Sequence, residues 1–278
     1  MQAAHATPRT PPVGSLIRHW RQHRRWSQLA LACEADISTR HLSFLETGRA
    51  QPSREMLLHL ADQLDVPLRE RNVLLVAAGF APTFRERALD DPELDQARDA
   101  IERVLAAQAP NPALAVDRHW NLVTANASAQ RLLTGIDAAL LAPPLNVLRA
   151  SLHPAGLAPR IVNFAEWRAH LLHRLWRQVE ASGDAGLAAL LAELEALPSP
   201  AGDDLAGPHA GTSPRLPLSG VMVPLQLRSP LGTLSFFSTT MVFGTAVDIT
   251  LSELVLESFF PADATTARAL VQLAGGTA

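Results

Sequence analysis

The side chains best placed to do chemistry lie along one predicted helix, residues 39–47. Thr39, Arg40, Ser43 and Phe44 recur at spacings of one, three and four positions, so they share one face of that helix. Such a face is typical of a helix that enters the major groove of DNA. An arginine there can bind guanine O6 and N7 together, which contributes about 1–3 kcal/mol to discrimination between bases. The pattern predicts base recognition, with Arg40 as the principal reader.

Two short helices joined by a polar turn would position this face. Ser27 is the predicted N-cap of the first helix, and Ser38 is the predicted N-cap of the second, after a turn at 35–38. Gly48 supplies the left-handed residue that ends the second helix. The arrangement is that of a helix-turn-helix, although an ordinary helical hairpin would produce the same pattern.

Apolar residues indicate which faces of the two helices are packed. We expect the first helix to bury the following residues: Leu29, Ala30, Ala32 and Cys33. The second should bury Leu42 and Leu45. Cys33 is the lone cysteine of the 278 residues, so no internal disulfide can form, which fits a reducing cytoplasm.

The charge of the chain is distributed unevenly. Residues 1–54 contain eight Arg and three acidic residues, whereas 81–278 contain fourteen Arg and twenty acidic residues. The basic part coincides with the predicted helix-turn-helix, as phosphate binding requires. A solvated helix face is the alternative for the basic run at 18–25.

Residues 14–79 resemble the five-helix DNA-binding domain shared by phage repressors and the Xre-type bacterial regulators. The resemblance depends on Gln28, Ala32, the stretch 45–49 (LETGR) and the pair Pro52-Ser53. The longer run 41–82 resembles the subgroup whose C-terminal half is an MmyB-like ligand-binding domain. The resemblance implies an N-terminal all-α five-helix domain and an α+β, PAS-like sensor domain with an antiparallel sheet.

The resemblance also implies roles for individual residues. Gln28 would clamp the DNA backbone at a helix N-terminus, where free N–H groups favour phosphate. Arg49 and Ser53 match positions that touch phosphate, and Arg21 would form a structural ion pair with Glu46. Ser38, the cap of the recognition helix, completes the predicted DNA-binding set. Phe44 departs from the polar residue common at its position, and would pack on a thymine methyl or on a partner subunit.

The predicted domain organisation has four parts. They are a disordered arm at 1–13, the helix-turn-helix domain at 14–80, a linker with a connecting helix at 81–110, and the PAS-like domain at 111–278. Within the last part we expect strands at 113–116, 120–125, 221–227 and 232–243, helices at 161–180 and 186–197, and a mobile loop at 198–214. The segment 249–260 fits either a capped helix or a bulged strand, and we favour the strand.

The second domain contains bulky apolar residues but no catalytic arrangement. His170 and His173 share a helix face without a cysteine or acidic partner, so we predict no metal, no cofactor and no enzymatic activity. Aromatic side chains are expected either to fill the core or to line a ligand pocket. The residues named for the pocket are Trp120, Phe164, Trp167, Phe236 and Phe243. The resemblance suggests a small apolar ligand, with fatty-acid-like molecules as one candidate.

The predicted partners are operator DNA, a small apolar ligand and a second copy of the chain in a homodimer. No run of eighteen apolar residues and no secretory signal occur, so we expect a cytoplasmic protein without membrane contact. Two alternatives stay open. The C-terminal domain of a constitutive repressor could serve only for dimerisation, or an enzyme or antitoxin could use the helical domain for autoregulation.

Overall fold

A computed structural model describes residues 11–200, 222–244 and 246–275. Contacts divide these residues into two compact units. The first contains 11–88 and 246–252, and the second contains 89–200, 222–244 and 253–275. Most of the predicted arm (1–13) and of the predicted loop (198–214) lies outside the described residues. The predicted domain boundaries therefore stay a prediction.

The first unit begins with five helices. They are α1 (Val13–His23), α2 (Gln28–Glu34), α3 (Thr39–Glu46), α4 (Arg54–Gln63) and α5 (Leu68–Ala77). Short serine-capped starts define three of them, because the hydroxyl oxygens of Ser27, Ser38 and Ser53 each accept a hydrogen bond from the backbone N–H three residues later. Gly48 follows α3 with a φ of +73°, as a left-handed C-terminal stop requires.

The core of this unit brings α1 directly against the end of α3. Ile17, Trp20, Leu42 and Leu45 are all buried there. Gly14 allows the two backbones to approach closely, because a Cβ built on it would lie 2.3 Å from the carbonyl oxygen of Leu45. A side chain at this position would therefore push the backbone of α1 away from the backbone of α3.

The predicted packed face of α2 was partly wrong. The buried residues on and beside the helix are Leu31, Ala32 and Ala35. Of the residues predicted to be buried, Leu29 is 63% exposed, and Ala30 and Cys33 are also exposed. Five of the seven residues of α2 are apolar or small enough to fit either face, so the sequence alone does not select the buried stripe. Packing against α3 selects it.

The second unit contains one sheet and several helices. The strands are β1 (Ala113–Val116), β2 (Leu122–Ala125), β3 (Leu225–Ser229), β4 (Gly232–Val242) and β5 (Val255–Pro261). The helices are α6 (Asp95–Ala107), α7 (Ala127–Leu132), α8 (Ala138–Leu141), α9 (Val147–Leu152), α10 (Phe164–Ser182), α11 (Ala185–Glu195) and α13 (Ala264–Gly275). The short helix α12 (Ile249–Ser252) belongs to the first unit. Among these residues no helix has both the length and the apolar character needed to cross a membrane.

The sheet is antiparallel with the order β2-β1-β5-β4-β3. The last strand in sequence, β5, thus lies in the centre, where β1 and β4 cover both its edges. Buried residues of α10 and α11, including Trp167, Leu175 and Leu194, form a common core with β3 and β4. The predicted fold classes of both parts of the chain are confirmed.

We predicted a single strand for the segment 249–260, and this prediction is wrong for its first residues. It begins with α12 and becomes strand only at Val255. Asp248 causes the helical start, because its carboxylate accepts a hydrogen bond from Thr250 N at 2.9 Å and also pairs with Arg87 at 2.8 Å. Ile249 N donates to the carbonyl of Arg85, so this segment is anchored within the first unit.

We predict that Gly14→Ala lowers the free energy of unfolding by about 1–3 kcal/mol, the usual cost of overpacking. Alanine favours helix more than glycine does, so a loss must come from the clash with Leu45. Chemical denaturation of the full chain measures it. Ser15→Ala, at an exposed neighbouring position, should change stability by less than about 0.5 kcal/mol. Equal stability of the two variants would contradict the close approach.

Candidate DNA interface and apolar cavity

One carboxylate connects the first three helices. Arg21 Nε on α1 donates to Glu46 Oε1 at 2.5 Å, and Arg21 Nη2 donates to Glu46 Oε2 at 2.9 Å. Gln28 Nε2 at the start of α2 donates to the same Oε2 at 2.8 Å. Arg21 Nη1 also donates to the Trp26 carbonyl. The third helix, α3, is therefore joined at its C-terminal end to both α1 and α2.

The electrostatics of this network favour the charged forms of both partners. Burial of Glu46 opposes ionisation, but hydrogen bonds from Arg21 and Gln28, together with the positive charges of Arg21 and Arg18, outweigh burial and hold the pKa of Glu46 below its usual value. The hydrogen bond to Glu46 raises the pKa of Arg21. Both side chains are almost fully buried, so neither charge could be left alone at low cost.

The residues predicted to bind DNA lie on or beside the exposed side of α3. Arg40 and Arg49 are exposed, and Thr39 and Ser43 are half-buried. The hydroxyl oxygens of Ser38 and Ser53 cap α3 and α4, which leaves each hydroxyl hydrogen able to donate to a phosphate. The side-chain amide N–H of Gln28 is used on Glu46, so its predicted phosphate contact would begin from a fixed orientation.

Phe44 brings two of these arginines together. The guanidinium of Arg40 lies 5.3 Å from the centre of the Phe44 ring, and that of Arg49 lies 5.9 Å from it. Cations at this distance are attracted to the face of an aromatic ring. The half-buried ring therefore restrains both arginines, an arrangement that the sequence did not indicate, because its only signal was the spacing of 40, 44 and 49.

The basic run at 18–25 divides into structural and exposed members. Arg21 forms its ion pair with Glu46. Arg24 donates hydrogen bonds to the carbonyls of Leu64 and Asp65 at 2.7 and 2.6 Å, so it satisfies free carbonyl groups at the C-terminal end of α4. Arg18 and Arg25 are exposed. The run thus contributes fewer charges to the surface than its composition implied.

An apolar cavity of about 80 Å³ lies within the second unit, between the sheet and its helices. Trp120 and Trp167, two of the residues predicted for the pocket, line it. Phe164 and Phe236 are instead buried in the core, and Phe243 follows β4 away from the cavity wall. Most of the wall is aliphatic or aromatic, with contributions that include Leu114, Leu122, Leu132, Val147, Leu171 and Phe259.

A charged group that sequence reasoning missed also lines the cavity. Glu257 on β5 is 6% exposed, and its Oε1 accepts a hydrogen bond from Arg174 Nη1. The Arg174 guanidinium lies 4.6 Å from the centre of the Trp120 ring. Trp120 has a φ of +67°, rare for a bulky residue. The signal for Glu257 was a charge inside the apolar strand sequence VLESFFP.

The predicted histidine pair is not accompanied by metal ligands. Over the described ranges, no group of three or more His, Cys, Asp or Glu side chains could hold a metal ion. His170 stacks on Trp167 and His173 stacks on Trp176. Burial lowers the pKa of His170, so the neutral ring is favoured. Both histidines therefore pack against tryptophan rings of α10.

Comparison with known sequences finds a matching protein family for each half of the chain. Residues 12–74 match the helix-turn-helix domain family, which together with the fold defines a DNA-binding transcriptional regulator. Residues 97–273, more than half of the chain, match the MmyB-like transcription regulator ligand binding domain, and the chain belongs to this family. The predicted family is confirmed.

Three curated relatives also match part of the chain. They are uncharacterized HTH-type transcriptional regulators, one of Mycobacterium bovis and two of strains of Mycobacterium tuberculosis, each 32% identical over 114 residues. The aligned part spans 38% of this chain and only 38% of each relative's length. Their names support regulation of transcription and specify no ligand.

We predict that Glu46→Gln lowers the free energy of unfolding at neutral pH by about 3 kcal/mol, because Arg21 loses its buried counter-charge. The folded pKa of Glu46 is depressed. Its stabilisation is therefore present above the unfolded pKa of about 4.3 and is lost as the pH falls through the folded value.

Urea titrations of the full chain between neutral and acidic pH measure this difference. The stability gap between wild type and Glu46→Gln should shrink on acidification, whereas Glu34→Gln at an exposed position should stay close to wild type throughout. A variant as stable as wild type at neutral pH would refute the role of the pair.

We predict that Phe44→Leu weakens discrimination between operator and random DNA by up to about thirtyfold, since two cation–π contacts of about 0.5–1 kcal/mol each are lost. Phe44→Tyr keeps the ring and should retain discrimination. Competition binding with labelled operator measures the ratio, and thermal denaturation confirms that both variants fold. Undiminished discrimination by the leucine variant would show that the ring does not position the arginines.

Proposed function

We propose that the protein is an operator-specific regulator whose DNA binding responds to a small apolar ligand. The observation that carries the proposal is the apolar cavity of about 80 Å³ in the same chain as a helix-turn-helix. Cavities of this composition with few polar groups are the usual sites for small apolar molecules. The MmyB-like family assignment supports the same reading.

The DNA half of the proposal assigns base reading to the exposed face of α3. Arg40 would contact guanine, with Thr39, Ser43 and Phe44 beside it. Gln28, Ser38, Arg49 and Ser53 would bind phosphates and fix the register without reading sequence. Support comes from the network at Glu46, which holds α3 rigidly while its outer face stays exposed.

The regulatory half requires a conformational equilibrium. A ligand changes DNA affinity only if it binds the DNA-competent and incompetent states with different affinities. We propose a homodimer on a pseudo-palindromic operator, because helix-turn-helix proteins commonly bind two half-sites one turn apart. Because the proposed target is operator DNA, we also propose that the protein acts in the cytoplasm. A second domain that only dimerises, and an enzyme or antitoxin, are the competing functions.

Native mass spectrometry of the purified full chain tests the ligand directly. We expect a dimer that carries a small molecule, which denaturation releases for identification. Adding that molecule back to stripped protein should change operator affinity. A dimer that never carries or responds to a molecule would favour the dimerisation-only function, and turnover of any substrate would favour the enzyme.

Footprinting with Arg40→Ala tests the DNA half separately. We expect a loss of about 1–3 kcal/mol in operator binding per half-site and relaxed preference at one base pair. Arg49→Ala should instead weaken binding to all sequences and reduce the salt dependence. Unchanged preference and affinity in Arg40→Ala would remove α3 as the reader.

A further inference from the structure

Another pocket of the second unit, also of about 80 Å³, differs from the apolar cavity in its charge. Its polar lining consists of two arginines and two serines, which are Ser128, Arg131, Arg160 and Ser229. The rest of its wall is apolar and includes Leu132, Leu234 and Leu270. Among the described residues no acidic side chain lines this pocket. Its wall therefore contains two positive charges and no counter-charge.

The guanidinium of Arg160 is half-buried and bonds only to backbone carbonyls in the part of the chain that the structure describes. Its Nη1 donates to the carbonyl oxygens of Leu132 and Thr134 at 3.0 Å each, and its Nε donates to that of Arg228 at 3.5 Å. Burial lowers the pKa of Arg160, as expected for a cation without a counter-charge. The carbonyls satisfy N–H groups but do not neutralise the charge, and Nη2 has no acceptor within the described ranges.

Two further groups of this pocket have no partner among the described residues. Arg131 on α7 is half-buried, and neither its guanidinium nor the hydroxyl of Ser128 forms a hydrogen bond or an ion pair there. The two residues are three positions apart on the helix, so they share a face. Ser229 differs, because its hydroxyl donates to the Gly232 carbonyl at 2.8 Å. The pocket thus offers donors from Ser128, Arg131 and Arg160 to a bound molecule.

We propose that this pocket is a separate site for a small organic carboxylate, held by the guanidinium groups of Arg131 and Arg160. A guanidinium presents parallel N–H donors that match the two oxygens of a carboxylate, and such charge-assisted hydrogen bonds are about twice as strong as neutral ones. The leucines of the wall favour an apolar body behind the head group. This inference goes beyond the proposed function and does not depend on the ligand of the apolar cavity.

The size of the pocket limits the length of the ligand. About 80 Å³ is close to half of the cavity of about 150 Å³ that accommodates benzene in an engineered protein, so an acid with a short chain is the suitable probe. Among the described residues Leu132 alone lines both this pocket and the apolar cavity, and we expect the two spaces to bind their ligands independently. Butanoate and butanamide have the same carbon skeleton and differ in the charge of the head group.

The experiment measures the dissociation constants of butanoate and butanamide for the full chain, from the rise in thermal midpoint with probe concentration. Sodium chloride keeps the ionic strength equal in all samples. We expect the wild type to bind butanoate at least about tenfold more tightly than the amide. In Arg131→Gln this preference should fall to about threefold or less. Arg177→Gln, which removes an exposed arginine outside the pocket wall, should keep the wild-type preference.

Further probes separate this site from an extension of the apolar cavity. If Arg131→Gln weakens the binding of decanoate but leaves that of butanoate unchanged, the arginine binds the head group of the cavity ligand and the separate site is refuted. Equal affinity for inorganic phosphate would refute the choice of a carboxylate. Equal binding of butanoate and butanamide by the wild type, or no binding at millimolar concentration, would refute the site altogether.

These outcomes leave the proposed function untouched, because native mass spectrometry and operator binding test that function with a different ligand. Arg131 has no partner to lose among the described residues, so we expect Arg131→Gln to fold. The comparison of butanoate with butanamide in the wild type decides the matter even if this variant does not fold.

Discussion

The arrangement of the helix-turn-helix unit depends on one carboxylate, that of Glu46, at the last turn of α3. Its two oxygens accept hydrogen bonds from Arg21 and Gln28, so one buried charge fixes three helices at once. Such a charge is tolerable only with its partners in place, which makes the geometry of α3 an all-or-none property. Gly14 adds to the same junction by permitting backbone contact between α1 and α3.

This constraint separates the arginines that stabilise the unit from those that stay exposed on its surface. Arg21 pairs with Glu46, and Arg24 donates hydrogen bonds to carbonyls at the end of α4, so both guanidinium groups bind within the unit. Arg40 and Arg49 stay exposed, and both guanidinium groups are restrained by contact with the Phe44 ring. Restraint lowers the entropy that long side chains lose on binding. A rigid helix with pre-positioned arginines is well suited to sequence-specific contacts.

The second unit also contains a buried glutamate that is paired with an arginine. Glu257 is also a buried carboxylate paired with an arginine, and it borders an apolar cavity. At Glu46 the hydrogen bonds are complete and the result is rigidity. At Glu257 the paired carboxylate instead lies on the wall of the cavity. Central placement of β5 in the sheet puts that charge where the helices cover it.

The sequence by itself determined the features that depend on neighbours along the chain. Serine caps and the glycine stop fixed the bounds of α3, and the family resemblance supplied the Arg21–Glu46 pair. Tertiary structure decided the rest, because it depends on contacts between distant segments. The buried stripe of α2 follows from packing, the helical start at Asp248 from its pairing with Arg87, and the cavity from the strand register that places Glu257 opposite Leu114. Periodicity predicts which elements form, but only packing decides which side chains meet.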